Sequence, residues 1–187
     1  MTTNIIQRQG LPTEMQALLR AHPRDGWARH PHFARAIQHW MGAHDMFRRL
    51  AFQMREDGEA FLDGRMVDPT YADRLGHLGH RLVTSLHGHH RWEDRRFFPE
   101  LEAADPRFAR GLEMLEQDHA VLDATLERVT RHGNRAVQLA VLDPAAMGAE
   151  VRPLRDAVEA LQGFLDRHLR DEEDLAVPIL LHHGLRA

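Results

Sequence analysis

The sequence predicts an all-α protein, an antiparallel up-down four-helix bundle with a short N-terminal extension, and three observations carry that prediction. Apolar residues recur at steps of three and four through four long stretches, the period of a helix with one buried face. X-Pro steps fall at intervals suited to long helices. Aromatic content is low, there is a single Tyr, and nothing reads as a β-rich run.

Four of the nine X-Pro steps fall so, His30-Pro31, Asp68-Pro69, Asp105-Pro106 and Asp143-Pro144. Proline is tolerated at the first helical position, where its missing N–H would have no partner anyway. In three of the steps the preceding Asp can cap the helix and favour the positive end of its dipole. Gly58, Gly133 and Gly184 follow periodic runs and read as stops. Helices are therefore expected over 31–56, 69–104, 106–132 and 144–183, with a short extra helix around Thr13–Ala21. Residues 1–30 form the extension and 31–187 the helical domain.

The seam of the first helix runs Phe33, Ile37, Trp40, His44, Phe47, Ala51, Met54. The second gives Leu75, Leu78, Leu82, Leu86, His89, Glu93, Phe97; the third gives Leu112, Leu115, His119, Leu122, Leu126, Val129. In the fourth, Val151, Leu154, Val158, Leu161 and Leu165 lead into His168, Glu172, Leu175 and Ile179. Pro99 and Pro178 each lie six residues beyond a seam Glu and should kink or end the regular helix there.

Composition narrows the chemistry. The 187 residues are 43% hydrophobic and 28% charged, ordinary for one globular domain. Net charge is −4 with His neutral, so no basic field points to nucleic acid or an anionic membrane. All 24 basic residues are Arg, which excludes Schiff-base lysine chemistry and a P-loop. Absence of Cys removes thiolate nucleophiles, zinc fingers and iron–sulfur clusters. The N-terminal residues lack the apolar stretch of a signal peptide and no segment approaches membrane-span length, so a cytoplasmic protein is expected. Fifteen histidines, spread along the chain, are the anomaly.

Each seam is apolar except at one level, where His or Glu replaces Leu. Burying an imidazole or carboxylate without a partner costs several kcal/mol. Four inward histidines could offset that cost by binding a common metal centre, and a Glu four residues after His lies on the same helix face. The two His-x-x-x-Glu units also repeat each other. His89 and His168 are each followed at +4 by Glu, at +5 by a second acid and at +10 by Pro. Each unit has one seam His on the preceding helix, His44 and His119. His90 could replace His89, pairing with Asp94 at the same spacing; alignment to His168 and the apolar stripe favour His89. Asp94 and Glu173 sit one step off the seam and are expected to face Arg or water. Mixed imidazole and carboxylate ligands suit iron, manganese or zinc.

The order His, His-x-x-x-Glu, His, His-x-x-x-Glu, with Phe-Phe-Pro after the first unit, resembles the hemerythrin-like (HHE cation-binding) family over residues 31–183. The resemblance implies a bundle holding a non-haem di-iron centre with an oxo or hydroxo bridge, and as metal ligands His44, His89, Glu93, His119, His168 and Glu172. Oxygen-carrying hemerythrins have a second His one turn after the third-helix His, where Asp123 stands here, and His-x-x-x-x-Asp on the last helix. The chain is closer to the bacterial branch with six protein ligands. Asp123 then reads as a partner of a ligand or a solvated acid, with ligation as the lesser alternative.

Such a centre is expected to meet a small diatomic or peroxide ligand, O2, peroxide or nitric oxide, behind an apolar lining (Trp40, Phe47, Leu86, Leu122, Leu165), with catalase-like turnover as one outcome. A non-catalytic O2 or redox sensor, or an iron-binding or storage module, is the alternative. No catalytic residue apart from the metal site is identified. Nucleic-acid and membrane partners are not expected, and the chain reads as a monomer or weak homodimer.

Overall fold

A computed structural model describes Ile5 and residues 7–186. Among the described residues there is no strand. Two short helices, α1 (Ala17–Ala21) and α2 (Arg24–Trp27), precede the long α3 (Arg35–Leu62) and α4 (Asp68–Trp92). A π turn over Glu93–Phe97 joins α4 to α5 (Phe98–Ala104), and α6 (Ala109–Leu142) and α7 (Met147–His183) complete the chain. The all-α helical bundle expected from the seams is the architecture found.

Helix ends differ from the sequence expectation, each for a physical reason. Gly58 and Gly133 stop nothing, and α3 and α6 run on to Leu62 and Leu142. A helical Gly costs only ~1 kcal/mol relative to Ala, less than burying one face of a long helix returns. The stop after α3 is Gly64, whose φ of +71° is left-handed, with Arg65 N–H donating to Ala60 O across the turn. The end of α6 is set by Pro144, which forces Asp143 into an extended conformation (φ −158°, ψ 78°). Pro106 and Pro144 each open a 3-10 turn, and α6 and α7 begin three residues later. Pro31 lies in a turn before α3, and Asp68 is itself the first residue of α4. Gly184, φ +64°, ends α7 as expected. Pro178 leaves α7 uninterrupted, whereas Pro99 sits just inside α5, directly after the π turn. The short helix expected near Thr13–Ala21 is a 3-10 turn, Thr13–Met15, followed by α1.

The chain divides into two compact units. One holds the N-terminal segment up to Asp45, His89–Ala120, and the stretch from Leu165 onward. It therefore takes the beginnings of α3 and α6 and the ends of α4 and α7, so successive helices alternate in direction. Leu11, Met15, Leu18 and Trp27 of the N-terminal segment join Ile37, Phe98, Leu101, Leu115 and the α7 residues Leu175, Val177, Ile179 and Leu180 in one apolar cluster. The other unit, Met46–Gly88 with Val121–Phe164, has a core of seam residues such as Phe47, Met54, Leu82, Leu86, Leu126 and Leu161. Its buried Asp57 is taken up by the Arg74 guanidinium at 2.7 and 3.0 Å.

Candidate metal centre

Polar seam positions from all four long helices meet inside the first unit. α3 brings His44, the last turn of α4 carries His89 and His90, and the π turn that follows carries Glu93. From α6 comes His119, and from α7 come His168 and Glu172. A π turn holds an extra residue per turn, which shifts the phase of the inward face beyond Trp92. His90, Glu93 and Phe97 are all buried, while His89 lies at the edge with 9% of its side chain exposed. The side chains of His44, Glu93, His168 and Glu172 are wholly buried, and His119 nearly so.

The two carboxylates lie between two sets of imidazoles. Glu93 Oε1 is 3.0 Å from His89 Nε2 and 4.0 Å from His44 Nε2, while its Oε2 is 3.9 Å from His119 Nε2. Glu172 Oε2 is 3.6 Å from His44 Nε2, and its Oε1 lies 3.5 Å from His119 Nε2 and 3.1 Å from His168 Nε2. The His44 and His89 Nε2 atoms face each other at 3.0 Å. Each carboxylate thus offers one oxygen to each set. The ligand-type atoms of His44, His89, Glu93 and Glu172 lie within 4.8 Å of one another, as do those of His90, His119 and His168.

A second layer of carboxylates holds the far side of three rings. Glu173 Oε1 is 3.0 Å from His44 Nδ1, Asp94 Oδ1 is 2.7 Å from His119 Nδ1, and Asp118 Oδ2 is 3.4 Å from His168 Nδ1. An acceptor on Nδ1 fixes the tautomer that leaves Nε2 free to ligate. Arginines in turn neutralise two of these acids, Glu173 and Asp118. Arg24 donates to Glu173 and Asp174, and Arg8 to Asp118 and Asp171. Trp40 Nε1 donates to Glu93 Oε1 at 2.8 Å and orients that carboxylate.

Asp94 and Glu173 therefore do not simply face Arg or water. Each occupies the +5 position of its repeat and supports the single histidine of the other helical pair. That repeated acid was the visible signal. Asp118 and Arg8 had no comparable one, whereas His90 was visible as the alternative to His89, four residues past Leu86. Asp123 is exposed and pairs with His87 at 3.3 Å.

Charge in the cluster is strongly coupled. Burial opposes ionisation of His119, but its bond to Asp94 and the nearby Glu172 and Glu93 outweigh it and lift its pKa to about 10. His168 is raised in the same way, burial being overcome by Glu172 and Asp118. Burial likewise opposes the charge of Glu172, yet His168, His119 and His44 hold it well below the usual carboxylate range. His90 moves the other way, its pKa pushed well down by burial and by His119 and His168.

The donor set fits a cation. Apart from the Nε atoms of Arg55 and Arg155, every buried side-chain N or O lacking a hydrogen-bond partner among the described residues is here. They are Glu93 Oε2, both Glu172 oxygens, His119 Nε2, His168 Nε2 and both nitrogens of His90. Orphaned atoms of this kind cost ~1–3 kcal/mol each unless something binds them. Imidazole and carboxylate without thiolate suit iron, manganese or zinc.

A helical bundle with this buried imidazole–carboxylate cluster at one level has the makings of a metal-binding protein. Residues 35–180 match the hemerythrin HHE cation-binding domain, most of the chain, and the chain belongs to that family. Comparisons with curated proteins and with solved structures gave no significant match. No helix among the described residues is long and apolar enough to cross a membrane.

Proposed function

We propose that the chain is a non-haem di-iron protein in which His44, His89, Glu93, His119, His168 and Glu172 hold two iron ions, and that it takes a small ligand (O2, peroxide or nitric oxide), with slow catalase-like turnover of peroxide. The observation that supports this most directly is the placement of Glu93 and Glu172, each with one oxygen toward each set of histidines and with buried oxygens that have no hydrogen-bond partner among the described residues. When bound, iron supplies redox chemistry and an exchangeable coordination position. The chain's own residues supply the rest. Glu173, Asp94 and Asp118 hold the Nδ1 side of His44, His119 and His168 so that Nε2 points inward. Trp40, Phe97 and Phe98 pack beside these rings and keep water out, Trp40 at 4.3 Å from His44 and Phe98 at 5.8 Å from His119. Access past the partly exposed His89 suits small neutral molecules.

Protein purified without chelator should carry about two irons per chain and absorb in the near-ultraviolet. Glu93→Ala and Glu172→Ala should each lose most of that metal. O2 evolution from added peroxide, above a chelator control, should fall in His119→Ala. Full iron retention in both glutamate variants would overturn the ligand assignment. Colourless protein rich in zinc would replace iron, and reversible O2 uptake without peroxide decay would replace turnover with sensing or storage.

A further inference from the structure

His90 is a buried titratable side chain that the six-residue set leaves unused. It is 3% exposed, and neither ring nitrogen has a hydrogen-bond partner among the described residues. Adjacent residues on a helix diverge by about 100°, so His89 and His90 would normally serve different surroundings. Here both turn toward the cluster, their ring centroids 6.3 Å apart. His89 faces His44, whereas His90 stacks on His119 at 3.9 Å and 8° and meets His168 edge-on at 5.6 Å. The ligand-type atoms of His90, His119 and His168 lie within 4.8 Å of one another.

The internal repeat argues against a space-filling role. The residue after His168 is Leu169, fully buried, and the residue at the same place in the first repeat is His90. A leucine fills that position without leaving two orphaned nitrogens. An imidazole is accounted for there if something binds it, and a neutral, unpaired ring nitrogen is the form that ligates.

We propose that His90 is a seventh protein ligand, joining His119 and His168 around one metal ion while His44 and His89 serve the other. The proposal rests on the two-metal reading above. It makes the two ions unequal, with three imidazoles on one and two on the other, despite the twofold look of the repeats.

The test uses metal-free, full-length protein titrated anaerobically with ferrous iron, in wild type, His90→Leu, His90→Gln and Glu172→Ala. Iron retained after desalting, the rise in melting temperature on iron addition, and iron-edge X-ray absorption are the readouts. Wild type should hold two irons averaging about 2.5 imidazoles each, against about 2 for the six-residue set. His90→Leu should bind the second iron at least about tenfold more weakly. It should melt no lower than wild type when metal-free, because two unpartnered nitrogens have left the core, yet gain less on iron addition. His90→Gln, which keeps a polar side chain, should lose the same iron. Two irons held with an unchanged melting increment in both His90 variants, or a wild-type count of about 2 imidazoles, would overturn the ligand role of His90 alone. A wild type that takes up no second iron, or a Glu172→Ala that keeps both, would overturn the two-metal reading and His90 with it.

Discussion

Replacing Arg8 by Met removes one charge from the interior and keeps most of the aliphatic stem. Arg8 lies in the N-terminal segment, its side chain 3% exposed, and it bonds Asp118 and Asp171, whose side chains are 3% and 2% exposed. The variant would leave two carboxylates buried without their cation. Breaking a buried pair from one side costs ~3–5 kcal/mol. A chain of this size shifts by roughly 2–4 °C per kcal/mol, so the melting temperature should fall by about 6–20 °C. The pH dependence has a definite sign. Asp171 already has a raised pKa, burial outweighing the attraction of Arg8. An acid whose folded pKa exceeds its unfolded one holds more protons when folded, between the two values. Stability therefore falls as pH rises through that window. Without Arg8 the folded pKa climbs further and the window widens, so the deficit of the variant should grow as pH rises above the ordinary carboxylate range. Far-ultraviolet circular dichroism melts of metal-free protein across that rise in pH measure it. A deficit below about 1 kcal/mol at the upper end, or one largest in acid, would refute the pairing as a stabilising element.

Asp94→Ala and Glu173→Ala each remove the acceptor on a histidine Nδ1, and metal affinity should drop by about 10–100-fold in each while helicity is retained. Unchanged affinity in competition with a chelator would show that these acids do not orient the rings. Asp105 is buried and accepts from Arg107 (2.7 and 2.6 Å) and from His183 (3.0 Å), and these bonds hold its carboxyl below the usual range. Asp105→Ala should cost ~1–3 kcal/mol in denaturant titrations. Because the folded pKa is depressed, that contribution is full above pH ~4 and disappears only as pH falls through the folded value, so the gap to wild type should close in strong acid. Gly58→Ala should stabilise by ~0.5–1 kcal/mol, since the position is helical and its nearest neighbour, the Tyr71 hydroxyl, lies at an ordinary 3.6 Å. Destabilisation by this alanine would mean that the helix does end there.

Hemerythrin-like chemistry asks for donors from several helices at one level, and how much of that arrangement local sequence can show depends on its range. Leu122 and Leu126 on α6, or Leu161 and Leu165 on α7, are buried as their spacing requires, because a helix repeats every 3.6 residues whatever it packs against. The polar break in each seam was visible for the same reason. His44, His119, His168 and Glu172 replace apolar residues in phase, and the doubled His-x-x-x-Glu marks the level at which they meet. Helix ends were less legible. Gly58 and Gly133 look like stops in a local window, but burial along the whole helix outweighs a glycine penalty of ~1 kcal/mol. What supports the site was decided by tertiary structure alone. The bonds from Arg8 to Asp171, Glu173 to His44 and Asp118 to His168 join residues 163, 129 and 50 positions apart, and no periodicity encodes which distant acid meets which ring. The π turn after His90 is of the same kind. It adds a residue to the helix just after Trp92, and only the packing of the other three helices decides that His90, four residues past the buried Leu86, lies deeper than His89.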